Sequence, residues 1–230
     1  LKRSRPIVAI DGPGGSGKSS VARRLASELG FTYLNTGAMY RAAALAFKNA
    51  GINLDPEGAR VEDRIAPILK SMKIEFDGNR VLLNGHDVTD EVTRSDIGDL
   101  ASTFSTLAPV RARMRDIQRA IGEQGGVVME GRDIGTVVFP DAEFKFFFEA
   151  SAEVRAARRY SELTAKGATI NRDEVLRELM ERDRRDSARE LAPLRRADDA
   201  VVIDTTKLSL DQVVSALKER IQGVYIRNRP

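Results

Sequence analysis

The chain has 230 residues, 42% of them hydrophobic, and its 37 basic against 34 acidic side chains leave a net charge of +3. That length suits one domain of moderate size or a core with inserted subdomains, and the small charge excess does not by itself argue for nucleic acid, though it would not repel phosphorylated substrates. The absence of cysteine excludes disulfides, thiolate catalysis and zinc ribbons, and the single histidine, His86, leaves little room for imidazole acid–base chemistry.

No apolar run approaches the length of a membrane span, and the opening residues LKRSRPIVAI lack a secretory hydrophobic region. A cytoplasmic protein with no membrane association is expected. In chain order, residues 7–10 (IVAI) form a short continuous apolar run, the pattern of a strand buried on both faces of a parallel sheet. GPGGSGKS, residues 12–19, follows and satisfies G-x-x-x-x-G-K-[ST] at every fixed position. Glycines there let successive backbone N–H groups converge on phosphate oxygens, and the start of the next helix adds partial positive charge. Lys18 is placed to bridge the β- and γ-phosphates and the Ser19 hydroxyl to reach Mg²⁺. The expected ATP contacts are Gly12, Pro13, Gly14, Gly15, Ser16, Gly17, Lys18, Ser19 and Ser20.

Val21, Leu25 and Leu29 recur at helical spacing until Gly30 stops the helix, and FTYLN, residues 31–35, supplies a second strand. NTGAMYR, residues 35–41, then opens a helix whose Thr36, Tyr40 and Arg41 could clamp a phosphate. Residues 73–92 break the rhythm. Two hairpin turns, Asp77-Gly78 and Asn84-Gly85, predict a small antiparallel sheet inserted into the core, with His86 beside the second turn as an incidental residue. Pro109 opens a helix with the stripe Val110, Met114, Ile117 and Ile121, ended by Gly122.

Residues 127–129 form the next strand, and EGRDIGT (130–136) places Arg132 and Asp133 at its carboxyl end, the edge where open α/β sheets bind ligands. Residues 144–148 predict another strand, followed by Arg155, Arg158 and Arg159 at helical spacing. Asn171 with Glu174 forms a capping-box pattern before Val175, Leu176, Leu179 and Met180. Farther along that helix, Arg182, Asp186 and Arg189 share one face at i, i+4, i+7, with Arg185 near it and Glu181, Asp183, Arg184 and Glu190 turned to solvent. Guanidiniums suit an anion and a carboxylate suits sugar hydroxyls. The two arginine clusters are expected to form the arms of a positively charged lid. A last strand at 200–203 precedes a Ser209/Gln212 capping box and the stripe Val213, Leu217, Ile221.

Alternating strands and helices predict an α/β fold with a mainly parallel sheet. TKLS, residues 206–209, begins like the guanine-reading [NT]-K-x-D loop of GTPases but ends in Ser209 where aspartate is required. The chain length suits a small-molecule kinase better than a motor or helicase. A kinase for UMP, AMP or shikimate stays open on the motifs alone, as does a P-loop switch or nucleic-acid-binding regulator.

Taken together, IDGPGGSGKSSVARRLA, LNTGAMYRAAAL, EGRDIGTVVFPDA, ERDRRDSAR and DDAVVIDTT resemble the bacterial cytidylate kinases from about residue 7 to 220. The resemblance implies a P-loop NTPase-type five-stranded parallel sheet flanked by helices, a monophosphate-binding domain carrying an extra small antiparallel sheet, and a short helical lid. The expected core covers residues 1–35, 116–154 and 191–230, the CMP-binding subdomain 36–115 and the lid 155–190. The implied reaction transfers the γ-phosphoryl group of ATP, with Mg²⁺, to CMP or dCMP in a monomeric enzyme of pyrimidine metabolism that needs no nucleic acid.

By motif position Ser102, Arg111 and Asp133 correspond to cytosine-reading residues, Arg182 and Asp186 to ribose contacts, and Arg41, Arg132 and Arg189 to phosphate contacts. Arg158 is the lid arginine expected nearest the transferred group and the ATP. Lys18, Arg132, Arg158 and Arg189 are the expected catalytic cations. Two positions depart from the family pattern: Glu130 stands where aspartate precedes GRD, and Thr36 replaces a serine while keeping the hydroxyl. The chemistry agrees with the implied substrate, because a carboxylate such as Asp133 accepts from the cytosine N4 amine and repels the uracil carbonyl, worth about 1–3 kcal/mol per contact.

Overall fold

The computed structural model describes residues 3–52, 61–78, 80–165 and 167–227, and side chains through residue 224. Two compact units emerge, one from Leu1–Leu34 with Gly122–Pro230 and one from Asn35–Ile121.

The first unit holds strands β1 (Ile7–Asp11) and β2 (Thr32–Asn35, ending at the unit boundary), with helix α1 (Lys18–Leu29) between them. In the second unit follow α2 (Thr36–Asn49), α3 (Val61–Ser71), β3 (Ile74–Asp77), β4 (Arg80–Leu83), β5 (His86–Asp87), α4 (Ser95–Phe104) and α5 (Ala108–Gly122). The chain then returns with β6 (Val127–Gly131), β7 (Phe144–Glu149), α6 (Ala152–Ala165), α7 (Arg172–Ser187), β8 (Val201–Asp204) and α8 (Leu210–Arg227). No helix among the described residues is long and apolar enough to cross a membrane.

The main sheet runs β2-β6-β1-β7-β8, so the expected five strands are all present. β1 lies at its centre, parallel to β6 with Asp11 opposite Gly131 and parallel to β7 with Asp11 opposite Phe147. Apolar continuity has its cause here. Val8, Ile10, Val128, Phe144, Phe146 and Phe148 are buried against Val21, Leu25, Val213, Leu217 and Ile221 of α1 and α8. The exception inside β7 is Lys145, buried but bonded to Pro140 O at 2.6 Å and to both Asp199 oxygens at 2.8 and 2.9 Å. Those bonds offset the cost of taking an ammonium out of water.

Local signals govern the helix ends. The Ser209 box closes reciprocally, with Ser209 N donating to Gln212 Oε1 at 2.9 Å and Gln212 N to Ser209 Oγ at 3.3 Å. At α7 the cap is instead a single bond, Asn171 Oδ1 accepting from Asp173 N at 2.8 Å, in place of the expected Asn171–Glu174 pair. α6 and α7 share a small core of their own, Ala156, Val175 and Leu179, flanked by Tyr160, Leu163, Ile170 and Leu176.

In the second unit the alanine-rich α2 packs on α4, bringing the Phe47 and Phe104 ring centroids to 4.7 Å. Asn35 caps α2 by accepting from Ala38 N at 3.0 Å. β3, β4 and β5 form the expected antiparallel sheet. Leu83 opposes His86, so Asn84 (φ 52°) and Gly85 (φ 81°) make a two-residue turn with both residues left-handed, the geometry that Asn-Gly accommodates. The first hairpin differs from expectation by one residue. Asp77 stays in the ladder opposite Arg80, and the loop begins at Gly78. His86 is exposed on β5.

Candidate functional site

The glycine loop leaves the carboxyl end of the central strand β1. Gly12 has φ 145° and passes so close to β7 that a Cβ there would lie 2.3 Å from Phe148 O. Gly15 (φ 74°) and Gly17 (φ 87°) are left-handed, and Gly17 caps α1 without a side-chain hydrogen bond. The first-turn amides of α1 therefore receive no side-chain cap, the arrangement that accepts an anion at a helix start. Lys18 is buried at the base of the loop, its Nζ donating to Pro13 O at 2.6 Å and to Ser16 Oγ at 3.3 Å. Burial, reinforced by the charge of Arg132, pulls its pKa down to about 7, against the opposing pull of Glu130 and Asp11. Ser19 and Ser20 are exposed on the first turn of α1.

Three arginines converge on this loop. A Cβ at Gly14 would lie 3.6 Å from Arg132 Nη2, and one at Gly17 would lie 3.8 Å from Arg158 Nη1. Arg155 donates to Gly14 O at 3.0 Å and Ala150 O at 3.1 Å. Arg158 donates to the Thr205 hydroxyl at 3.1 Å and Thr205 O at 2.7 Å, and that hydroxyl in turn lies 3.0 Å from Ser16 O. Thr205, from the turn after β8, thus links α6 to the loop, a role that the sequence alone did not reveal.

The acidic partners differ from expectation in two places. α7 ends at Ser187, so Arg189 lies beyond it and not on its face; the chain turns back through Ala192 (φ 51°), and Leu194 N donates to Asp186 O at 2.8 Å. Arg189 nonetheless meets Asp186 as an ion pair from that turn. Asp183 does not face solvent: it pairs with Arg155 at 2.6 Å, because Arg155 is 93% buried and its charge needs a partner. Glu181, Arg184, Arg185 and Glu190 are exposed, and Arg185 Nε lies 3.9 Å from Glu181 Oε1.

Asp186 itself is only 1% exposed and accepts from Arg132 Nε at 2.9 Å. Burial opposes its ionisation, but Arg132, Arg189 and Arg182 outweigh that and hold its carboxyl below the usual range.

Asp133 is buried where β6 ends, at the head of a π turn, Ile134–Val138, for which its own side chain makes no capping bond. That turn is held instead by Asp11, which accepts from Ile134 N at 2.9 Å and Gly135 N at 2.7 Å. Burial pushes the Asp11 carboxyl up to about 6, against the pull of those two bonds. Glu130, buried on β6, accepts from Tyr33 Oη at 2.7 Å. Burial and the adjacent Glu130 charge push the Tyr33 hydroxyl above its ordinary range.

Within the second unit, Thr36 is the buried first residue of α2, one turn before Tyr40 and Arg41. The Arg111 guanidinium sits 5.7 Å from the Tyr40 ring centroid and donates to Ser105 O at 3.2 Å. Arg41 donates to Val92 O at 2.9 Å and lies over Gly98, where a Cβ would stand 3.0 Å from its Nη2. Ser102 on α4 is buried, and its Oγ has no hydrogen-bond partner among the described residues. A buried hydroxyl left in that condition costs free energy unless something else satisfies it.

A family model described as cytidylate kinase matches residues 8–223. The chain belongs to the cytidylate kinase family. The cytidylate kinase of Citrifermentans bemidjiense is 48% identical over 229 residues, covering 96% of this chain and 96% of that one. The cytidylate kinase of Geobacter sp. strain M21 is 47% identical over 226 residues, covering 96% and 95%. Among solved structures, an uncharacterized protein from Eubacterium ventriosum shares the fold at TM-score 0.51 and 14% identity, over 98% of this chain and 100% of that chain. As a member of this family the chain is a kinase that takes its phosphoryl group from a nucleotide donor.

Proposed function

We propose that the chain transfers the γ-phosphoryl group of ATP to CMP and dCMP, giving ADP and CDP or dCDP. The observation that carries this reading is the convergence of Arg132, Arg155 and Arg158 on a glycine loop whose lysine is buried at its base. The names of its relatives supply the pyrimidine acceptor.

A phosphate oxygen of CMP attacks the γ-phosphorus in line while the bond to the β,γ-bridging oxygen breaks, so the electron pair leaves with ADP. That oxygen is already anionic near neutral pH, and no strong general base is required. Alignment and neutralisation of charge on the transferring oxygens do the work. Backbone amides of residues 12–20 hold the triphosphate, and Lys18 moves from Pro13 O onto its β- and γ-oxygens. Arg158 covers the transferring group, with Arg132 and Arg189 on the acceptor phosphate and Arg182 and Asp186 on the ribose. Asp133, Ser102 and Arg111 read cytosine, and Thr36, Tyr40 and Arg41 serve the monophosphate. The orphaned Ser102 hydroxyl supports a ligand contact there.

Among the described residues no group of three or more acidic or histidine side chains could hold a metal. The exposed Ser19 hydroxyl would be the protein ligand of a Mg²⁺ ion that arrives with the nucleotide phosphates. When bound, the ion would neutralise charge on the phosphate oxygens.

The separate small core of α6 and α7 supports their moving as a lid that excludes water over the nucleotides. We assign the enzyme to the cytoplasm as a monomer with no nucleic-acid or membrane partner. Turnover of CMP, dCMP, UMP, AMP and shikimate with ATP and Mg²⁺ tests the assignment: CMP and dCMP should dominate, and UMP turnover well above CMP would reject it.

A further inference from the structure

Asp11 is a buried carboxylate that none of the steps above uses. Asp11 closes β1, is 5% exposed, and its backbone leads directly into the first glycine of the phosphate loop. Its side chain reaches across to the turn after β6, with one oxygen on Ile134 N and the other on Gly135 N. Those are the two amides that immediately follow Asp133. An aspartate heading a turn ordinarily folds back on such amides itself. Here Asp133 heads the turn and makes no such bond.

We propose that Asp11 is a positioning residue for the acceptor nucleotide, holding from the donor-side strand the turn that aims Arg132 and Asp133. The proposal rests on the cytidylate kinase reading above. Because the Asp11 carboxylate accepts both amides, the turn that begins at Asp133 is held by a residue 122 positions earlier. Strand register reinforces the link, since Asp11 pairs with Gly131, the residue before Arg132. Gly135 packs beside this contact: a Cβ there would lie 3.4 Å from Asp11 Oδ2, an ordinary contact distance, and 3.2 Å from Lys145 Cδ.

Asp11→Asn tests the idea. The amide keeps the shape but turns one acceptor into an N–H facing another N–H. Gly135→Ala adds a methyl beside the same contact, pressing on the Lys145 side chain. For each variant, KM for CMP and for ATP, the CMP-to-UMP preference, hydrogen exchange of the 134 and 135 amides, and the melting temperature are measured. The expected result is a KM for CMP raised about tenfold with KM for ATP within about twofold, as for loss of one hydrogen bond to a charged group. The CMP-to-UMP preference should fall, and exchange at the two amides should quicken.

Faster exchange with both KM values unchanged overturns the proposal, as does an equal rise in both that tracks a loss of melting temperature. Failure of both variants to fold would also overturn it, marking Asp11 as purely structural. A wild-type chain that does not phosphorylate CMP sinks the functional reading itself, whereas wild-type turnover with an unaltered Asp11→Asn KM sinks only the positioning role.

Discussion

Asp186→Asn removes a charge and almost no volume from the most crowded ionic cluster of the first unit. The wild-type carboxylate is 2% exposed at its side chain and offers separate oxygens to Arg132 and Arg189, with the Arg182 charge also acting on it. An asparagine accepts from only one of them and presents an N–H to the other, and the negative charge that Asp186 supplied to them is gone. Removing one partner of a buried ion pair costs about 3–5 kcal/mol. Arg132 keeps 20% of its side chain in solvent, so water recovers part of its solvation and the lower end, about 3 kcal/mol, applies. At about 2–4 °C per kcal/mol for a chain of this size, the ligand-free variant should melt about 6–12 °C lower in calorimetry. Sulfate or phosphate should restore more of the melting temperature in the variant than in the wild type, because an anion replaces the missing charge. KM for CMP should rise far more than KM for ATP. A variant melting within about 2 °C of wild type, or an equal gain from sulfate in both proteins, would refute the reasoning.

Three further outcomes are expected. With Lys18 depressed to about 7 by burial and Arg132, a polyphosphate that raises its pKa must bring a proton in. At pH 8 a group titrating near 7 is about nine-tenths neutral, so nucleotide binding should take up about 0.9 proton and weaken as pH rises above about 7. Calorimetry in two buffers of different protonation enthalpy measures this, and a buffer-independent heat would contradict it. Gly12→Ala places a methyl 2.3 Å from Phe148 O in a backbone region costly for side chains, and should destabilise the protein by about 3 kcal/mol or more in denaturant melts. Ser102→Ala deletes a buried hydroxyl that no atom of the described residues satisfies. Its melting temperature should hold or rise by about 2–4 °C, following about 1 kcal/mol recovered, while KM for CMP rises; a large loss of stability would show that the hydroxyl serves the fold.

Features decided by neighbours in the chain were legible beforehand. The phosphate loop was readable because its glycines, lysine and flanking strand and helix are contiguous and act through backbone geometry. The Ser209–Gln212 box and the Asn84-Gly85 turn were readable for the same reason, each closing over no more than four residues. The hairpin at Gly78 slipped by one residue because the ladder pairing Asp77 with Arg80, not the dipeptide, set where the turn begins.

Charged side chains behaved differently. Extending a helical period to Arg189 assumed that α7 continues, yet it stops at Ser187, where the returning chain donates Leu194 N to Asp186 O. Assigning Asp183 to solvent ignored Arg155, 28 residues away, whose burial demands a counter-charge. Asp11 carried no local sign of its bonds to Ile134 and Gly135, which exist only because β1 and β6 lie side by side. By itself, then, the sequence determined the alternation of elements and the anion-holding loop, which follow from short-range periodicity and steric rules, while its motif blocks carried the family resemblance. Only the tertiary structure decided which carboxylate answers which arginine, because the cost of a buried charge depends on whatever group packing brings within about 3 Å of it.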